Sequence, residues 1–214
     1  MELEEVIKIR RSIRKFSDKK LEEGILEKII SAGNCAPSHC NTQGWKFIFV
    51  DEKNVKEKIY ESGGSFVIKN SPYGILVLYN VALSDNLEYR DYIQSSAAAI
   101  QNMLLTIHSL GLGACWVCHL PTKKILRKIF NIPKSYSPIA YVAFGYPKEE
   151  IREMPRKHKI DEILADNKFI WPREKTPIKV YLKRIFRKLY FILPIYIKKI
   201  IAPLANKFVK KFHN

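Results

Sequence analysis

Residues 95–108, SSAAAIQNMLLTIH, contain no charged side chain and many small ones. A helix of this composition is apolar around most of its circumference, and its small residues allow a neighbour to approach closely. Gly111 and Gly113 follow it and are typical of a helix end. The segment therefore predicts a long helix packed tightly against other elements.

Shorter segments on either side alternate irregularly between helical and extended patterns. Apolar and β-branched runs predict four strands, at residues 45–50, 73–79, 114–117 and 139–144. Helical spacing predicts further helices at residues 3–9, 21–33, 54–60 and 122–130. Ser17 and Asp18 offer a cap for the second of these. Irregular alternation around a sheet of this size favours an α+β layer architecture.

The charge of the chain is concentrated at one end. Of the net charge of +16, residues 173–214 contribute +11, with 12 basic residues and one acidic residue. The 214 residues, 47% of them apolar, suit one domain with a full core. We therefore predict a domain over residues 1–172 and a basic extension over residues 173–214.

The N-terminal residues indicate the cell interior, and the cysteines are interpreted accordingly. The start MELEEVIKIRRSIRKF lacks the apolar core of a signal peptide, and no apolar run reaches the ~18 residues of a membrane span. We expect a cytoplasmic protein whose cysteines are thiols. The spacings Cys35-x4-Cys40 and Cys115-x2-Cys118 admit zinc or an iron–sulfur cluster. Small buried packing residues are the favoured interpretation, with no metal site.

Three segments combine residue types that suit cofactor binding. Residues 10–16, RRSIRKF, hold four cations and a hydroxyl, which can bind phosphate oxygens or form a solvated basic turn. Residues 36–45, APSHCNTQGW, offer amides that can pair with the edge of a flat heterocycle. The alternative is an ordinary polar loop that leads into a strand. In residues 111–117, GLGACWV, the glycines allow the backbone to approach the ring of a cofactor closely. The alternative is that they simply end a helix before a strand.

Taken in order, these segments resemble the FMN-binding nitroreductase family. The order is Arg-Arg-Ser-x-Arg-x-Phe, Ala-Pro-Ser-x-x-Asn-x-Gln-x-Trp, Gly-Leu-Gly-x-Cys-Trp and then Phe-Gly-Tyr-Pro, within residues 4–165. The resemblance implies an α+β fold with a mixed sheet flanked by helices. It also implies a homodimer whose interface uses long helices such as 95–108, with FMN bound between the subunits.

The resemblance also implies site residues. Arg10 and Ser12 match positions that hold the phosphate and the ribityl chain, and Arg14 matches the cation beside N1 and O2 of the flavin ring. Arg156 matches a late phosphate-binding cation, with Lys157 as the alternative. Pro37, Ser38 and Asn41 match a loop that the partner subunit supplies. The full predicted cofactor-binding set is Arg10, Arg11, Ser12, Arg14, Pro37, Ser38, His39, Asn41, Gln43, Arg156 and Lys157.

Hydride transfer explains why a cation is needed. Negative charge develops near N1 and O2 when the flavin accepts hydride from a nicotinamide, and a fixed cation there stabilises it. Arg14 is therefore the predicted catalytic residue. The chain departs from the family pattern at Gly44, where proline is common, and at Cys118 and His119, where small residues are common. The second departure alters the predicted wall of the substrate site.

Residues 176–214 lie outside the resemblance. Five apolar residues there have helical spacing and basic residues flank them, while Pro194 and Pro203 divide the segment. This pattern suits an anionic membrane surface, or equally an arm that packs on the partner subunit. No nucleic-acid motif is present, so we expect no such partner. The apolar residues are Ile178, Leu182, Ile185, Phe186 and Leu189, and the basic ones are Lys179, Lys183, Arg184, Arg187 and Lys188.

The sequence thus predicts an FMN-dependent enzyme. It would oxidise NADH or NADPH and reduce a nitroaromatic compound, a quinone or a similar small electrophile. The alternative is a flavin-binding, membrane-associated electron relay whose donor is another protein. The predicted location of the protein is the cytoplasm, including the inner face of the membrane.

Overall fold

A computed structural model describes most of the chain. The described residues are 2–86, 88–151 and 153–172, together with 177, 178, 180–182, 185, 186, 189, 193 and 197. They belong to two compact units, residues 1–155 and 156–214. All of the helices and strands named below lie in the first unit. The predicted boundary at residue 173 reflects charge composition and stays a prediction.

One four-stranded sheet organises the first unit. Its strands are β1 (Trp45–Val50), β2 (Tyr73–Asn80), β3 (Gly113–Val117) and β4 (Tyr136–Gly145), in the spatial order β1-β2-β4-β3. Every neighbouring pair is antiparallel. The resemblance predicts a mixed sheet, and this detail is corrected: in the part of the chain that the structure describes, parallel pairing is limited to an isolated bridge between Ser12 and Ala114. The four predicted strands themselves are confirmed.

Helices cover both faces of this sheet. They are α1 (Leu3–Ile9), α2 (Ile25–Asn34), α3 (Lys53–Glu61), α4 (Phe66–Asn70), α5 (Asp91–Ser109) and α6 (Lys123–Phe130). Residues of α2 and α5 share one buried cluster with alternate residues of β2 and β4. Residues of α3, α4 and α6 share another cluster with the intervening residues of the same strands. The two central strands are therefore buried on both sides, which explains their continuous apolar sequence.

Helix α5 packs closely against α2, as its small residues predict. Gly33 of α2 faces Met103, and a Cβ added at that glycine would lie 3.0 Å from the Met103 Cγ. The Asn102 amide donates to the Ala32 carbonyl at 3.1 Å across the same contact. Ala99, Ile100 and Met103 are fully buried. The close packing predicted for this helix is thus confirmed.

Several local predictions are corrected. Helix α2 begins at Ile25, after Gly24 with φ +76°, and Ser17 and Asp18 do not cap it. Helix α5 begins at Asp91, four residues before the predicted start, and α4 was not predicted. All four cysteines are free, as predicted, but only Cys115 is buried. The interpretation as buried packing residues is therefore wrong for Cys35, Cys40 and Cys118.

The described part of the predicted extension is helical in places. Ile178, Leu182, Ile185, Phe186 and Leu189 have helical backbone, as their spacing predicts, and all five side chains are exposed. Lys179, Lys183, Arg184, Arg187, Lys188, Pro194 and Pro203 lie outside the described residues. Among the described residues, no helix is long and apolar enough to cross a membrane.

Candidate functional site

The basic segment 10–16 leaves helix α1 and runs beside strand β3. Ser12 forms a parallel bridge with Ala114, and the Ile13 amide donates to the Ala114 carbonyl at 2.8 Å. Ile13 packs so closely that a Cβ added at Gly113 would lie 2.7 Å from the Ile13 Cβ. The sheet edge therefore fixes this turn through backbone contacts, and glycine at 113 is required for the close approach.

Arg11 and Arg14 have different environments within this turn. The Arg11 guanidinium donates to the carbonyls of Lys8 at 3.0 Å, Arg10 at 2.7 Å and Met154 at 2.9 Å. Arg14 is exposed and donates to the Ser12 carbonyl at 3.3 Å. Arg11 is thus occupied with backbone oxygens, whereas most of the Arg14 fork is open to a ligand.

The charges of this turn extend to the C-terminal end of helix α5. Burial lowers the pKa of His108, and the nearby charges of Arg10 and Arg11 lower it further. Burial raises the pKa of the Cys115 thiol on β3, and the charge of Arg14 partly opposes that rise.

Residues 36–43 form a loop with an unusual backbone. Cys40, Asn41 and Gln43 have φ of +44°, +55° and +45°, a region that few side chains other than asparagine adopt readily. The Ser38 hydroxyl accepts from the Gln43 amide at 3.0 Å, and the Gln43 side chain donates to Asn41 Oδ1 at 2.7 Å. Side chains of the loop thus stabilise its own left-handed turns.

The loop is anchored to the N-terminal end of helix α5. The His39 amide donates to the Ser95 hydroxyl at 3.0 Å. The His39 Nε2 lies 3.1 Å from Asp85 Oδ1 and 3.7 Å from Asp91 Oδ2. A cleft of about 480 Å³ beside this contact is lined by Pro37, Ser38, His39, Asn86, Tyr89, Asp91, Gln94, Ser95 and Ala98.

The basic turn and the loop therefore lie at opposite ends of one helix. Ser95 contacts the loop near the start of α5, whereas Ile13 of the turn packs on Gly113, just after α5 ends at Ser109. Ser95 and Ser109 are 14 positions apart on α5. At about 1.5 Å of rise per residue the separation is about 20 Å. One subunit does not bring together the two segments predicted to contact the same flavin.

Comparison with known proteins assigns the chain to a family. The sequence profile of the nitroreductase family matches residues 7–74 and 63–146, which together span both candidate segments. The chain belongs to the nitroreductase family. This confirms the resemblance drawn from the four motifs.

Individual nitroreductases give the same result. A protein from Methanothermobacter thermautotrophicus, named an NADH dehydrogenase/NAD(P)H nitroreductase, is 36% identical over 153 residues. The match covers 70% of this chain and 79% of that protein. An FMN-dependent nitroreductase from Clostridium difficile has a TM-score of 0.68 at 29% identity, covering 77% of this chain and 98% of the other.

A structure described as a nitroreductase in complex with FMN, from Desulfovibrio desulfuricans, has a TM-score of 0.69 at 25% identity. It covers 79% of this chain and 99% of the other. The common fold of these nitroreductases is the sheet and helix arrangement described above.

Four other predicted positions, Cys118, His119, Arg156 and Lys157, are all exposed. Cys118 and His119 are exposed just after β3, and the His119 carbonyl accepts from the Ser65 amide at 3.0 Å. Arg156 and Lys157 are exposed in the second unit, and their predicted role stays a prediction.

Asp85 and Asp91 were not predicted as site residues. Nothing in the local sequence distinguishes them, because only the folded chain brings them to His39.

Proposed function

We propose that this nitroreductase is an FMN-dependent oxidoreductase that works as a homodimer. Hydride would pass from NADH or NADPH to FMN and from there to a nitroaromatic compound, a quinone or a similar small electrophile. The observation that carries the proposal is the separation of the basic turn and the loop by about 20 Å along helix α5. Two flavin-binding segments held this far apart make one site when a second subunit supplies one of them.

The donor set of the basic turn fits a phosphate group. Arg10 and Arg14 supply guanidinium forks and Ser12 supplies a hydroxyl, which are the groups that recognise phosphate and polyhydroxyl chains. We assign Arg10 and Ser12 to the phosphate and ribityl chain of FMN. Arg11 would support them, because its terminal nitrogens already hold three backbone carbonyls.

Arg14 has the catalytic role in this proposal. FMN, when bound, supplies the hydride acceptor and donor. The exposed Arg14 guanidinium, oriented by its bond to the Ser12 carbonyl, would stabilise negative charge on the pyrimidine side of the ring. Hydride transfer itself requires no acid–base residue of the chain.

The loop would contact the flavin of the other subunit. Pro37, Ser38, Asn41 and Gln43 are the residues proposed for this contact, with His39 contributing through the loop backbone. The Asn41 and Gln43 amides are exposed and already aligned with each other at 2.7 Å. A pair of aligned amides can donate to and accept from the edge of a heterocycle. Arg156, or Lys157, remains the proposed additional phosphate ligand.

Flavin content and steady-state turnover test this function. The purified protein, mixed with FMN and freed of excess, is expected to hold one FMN per chain, to sediment as a dimer and to oxidise NADH or NADPH with a quinone. A monomer that binds FMN tightly would contradict the shared site. Bound flavin without nicotinamide oxidation would favour the electron relay with a protein donor.

The exposed helical residues near the C-terminus favour a second property, contact with an anionic membrane surface. Ile178, Leu182 and Leu189 are 78%, 58% and 57% exposed, and the sequence around them carries a charge of +11 from residue 173 onward. Apolar burial and attraction to anionic lipid would act together there, at about 1 kcal/mol for each basic residue near the surface.

Vesicle sedimentation tests the membrane contact. The full chain is expected to sediment with phosphatidylserine vesicles at low salt, less at high salt, and scarcely with phosphatidylcholine alone. A chain ending at Pro172 should keep FMN and lose sedimentation. Loss of the dimer or of FMN in the shortened chain would instead identify these residues as a structural arm.

A further inference from the structure

Three potential metal ligands converge at the anchor of the loop, and the Cys40 thiol adjoins one of them. The His39 Nε2 lies 3.1 Å from Asp85 Oδ1, 3.7 Å from Asp91 Oδ2 and 3.3 Å from the Cys40 Sγ. The ligand atoms of His39, Asp85 and Asp91 all lie within 4.8 Å of one another. Imidazole nitrogen, carboxylate oxygen and thiolate sulfur are the three ligand types that zinc binds in proteins.

We propose that His39, Cys40, Asp85 and Asp91 form a binding site for a divalent transition metal, with Zn²⁺ as the ion that fits best. Zn²⁺ takes four ligands in a tetrahedron, with bonds of about 2.0–2.3 Å. The edges of such a tetrahedron are about 3.3–3.7 Å long. The three distances measured from His39 Nε2 lie at or near this range, and the ligand atoms of His39, Asp85 and Asp91 lie within 4.8 Å of one another. Cys40 lies outside that group of three, so its side chain would turn toward the carboxylates to become the fourth ligand.

A single hydrogen bond from the His39 Nε2 accounts for one of these three contacts. The His39 Nε2 carries at most one hydrogen, which can be directed at one acceptor. Three groups surround that nitrogen, and two of them are the carboxylates of Asp85 and Asp91. A metal ion satisfies the imidazole, both carboxylates and the thiolate together.

Asp91 is already held in position for this role. Its side chain is only 6% exposed. One carboxylate oxygen accepts from the Ser84 hydroxyl and from the Tyr92 amide, the latter at 2.6 Å, and the other accepts from the Asn86 amide at 3.3 Å. Such supporting contacts orient carboxylate ligands and increase metal affinity. The more exposed Asp85 and Cys40 leave a path from solvent.

The location gives the site a regulatory consequence, and this consequence rests on the proposed function. Cys40 and His39 belong to the loop that carries Ser38 and Asn41, which we assign to the flavin of the other subunit. A metal that links the loop to Asp91 of helix α5 would fix the left-handed turns at residues 40 and 41. FMN binding should then tighten with Zn²⁺ and weaken with a chelator.

Metal binding is measured directly on the full-length protein, with and without added FMN, by equilibrium dialysis against Zn²⁺, with metal counted by mass spectrometry. We expect one Zn²⁺ per chain. Asp85→Asn and Cys40→Ser should each weaken binding at least ~10-fold, since changes even beyond the direct ligands cost that much. Matched controls are Glu88→Gln, on the adjoining cleft, and Cys35→Ser, another exposed cysteine. Neither control should change the affinity.

Cobalt provides a second readout that a general structural role of Cys40 would not produce. Co²⁺ bound to the flavin-loaded protein should add thiolate-to-cobalt absorption to the difference spectrum, and Cys40→Ser should abolish it. Absence of stoichiometric Zn²⁺ binding, or equal binding by wild type, Asp85→Asn and Cys40→Ser, would overturn the proposal. Because metal is counted separately from flavin, FMN binding without zinc refutes only this inference, and zinc without FMN refutes only the proposed function.

Discussion

The basic turn and the loop are both predicted to contact flavin, but the fold holds them by different means. The turn is paired through its backbone with strand β3, at Ser12 and Ile13. The loop reaches helix α5 through side chains, chiefly Ser95 and His39. Backbone pairing tolerates most side-chain changes, whereas a loop held by a few polar contacts depends on each of them. Substitutions at the two segments should therefore differ in size and kind.

The largest effect is expected where the turn meets the sheet. In Gly113→Ala the new Cβ would lie 2.7 Å from the Ile13 Cβ, so the turn must move away from β3. Overpacking of this kind costs about 1–3 kcal/mol of unfolding free energy, and FMN binding should be lost as well. Urea unfolding and fluorescence titration with FMN measure the two effects.

Gly111→Ala is the control for that experiment. Gly111 has φ +76° and open space around its Cβ position, so the substitution strains the backbone without displacing Ile13. It should lower stability and leave FMN affinity nearly unchanged. Equal loss of FMN in both variants would show that the contact with Ile13 does not position the turn.

A smaller effect is expected for one cation of the turn. Arg10→Ala removes charge-assisted hydrogen bonds to the FMN phosphate, each worth about 1.5–3 kcal/mol, so FMN affinity should fall at least ~10-fold. Stability should change little, because the backbone pairing of Ser12 remains. Lys15→Ala is the matched control, since Lys15 is exposed and pairs with Glu149 at 2.7 Å. Unchanged FMN affinity in Arg10→Ala would discard its assignment.

The anchor of the loop should show a different balance. Ser95→Ala removes the acceptor of the His39 amide, which costs about 1 kcal/mol of stability and should loosen the loop. FMN affinity should fall severalfold. Ser96→Ala is the control, because that buried hydroxyl donates within α5 to the Tyr92 carbonyl at 2.7 Å. If both serine variants bind FMN equally well, the contact with Ser95 is not what holds the loop.

The smallest effect concerns pH at the turn. Burial and the charges of Arg10 and Arg11 lower the pKa of His108 below its ordinary value of 6.5. The unfolded chain therefore takes up a proton below about pH 6.5 that the folded chain does not, and stability falls as pH falls through this window. The slope is at most about 1.4 kcal/mol per pH unit.

His108→Gln removes the titrating group and tests this pH dependence. Urea unfolding at a series of values between about pH 7.5 and 5.5 should show a shallower dependence in the variant than in the wild type. Identical slopes would mean that His108 takes up its proton equally in both states.

Elements with a long, regular apolar pattern could be predicted from the sequence. Residues 73–79 and 139–144 are predicted as strands because they are continuous apolar runs. Such runs are typical of central strands, which are buried on both faces. The start of α2 was misplaced because Ser17 and Asp18 resemble a cap, whereas Gly24 begins the helix. Helix α4 is only five residues long, too short for periodicity to reveal.

The candidate site was predictable only in part, for a related reason. Residues of the two motifs are close in sequence, so their types and spacing could be recognised. Asp85 and Asp91 approach His39 only after α5 has packed, and a distance of 46 residues along the chain carries no local signal. The antiparallel pairing of all four strands likewise depends on chain topology, which spacing does not encode.

The length of helix α5 has a genetic consequence. If each flavin is held by the turn of one chain and the loop of the other, two defective chains can complement each other. In a mixed dimer of Arg10→Ala and Ser95→Ala chains, one site carries both lesions and the other carries neither. At FMN concentrations too low to fill either homodimer, co-expression of the two variants should then restore FMN binding and turnover at half of the sites, whereas two lesions in the same turn should not complement.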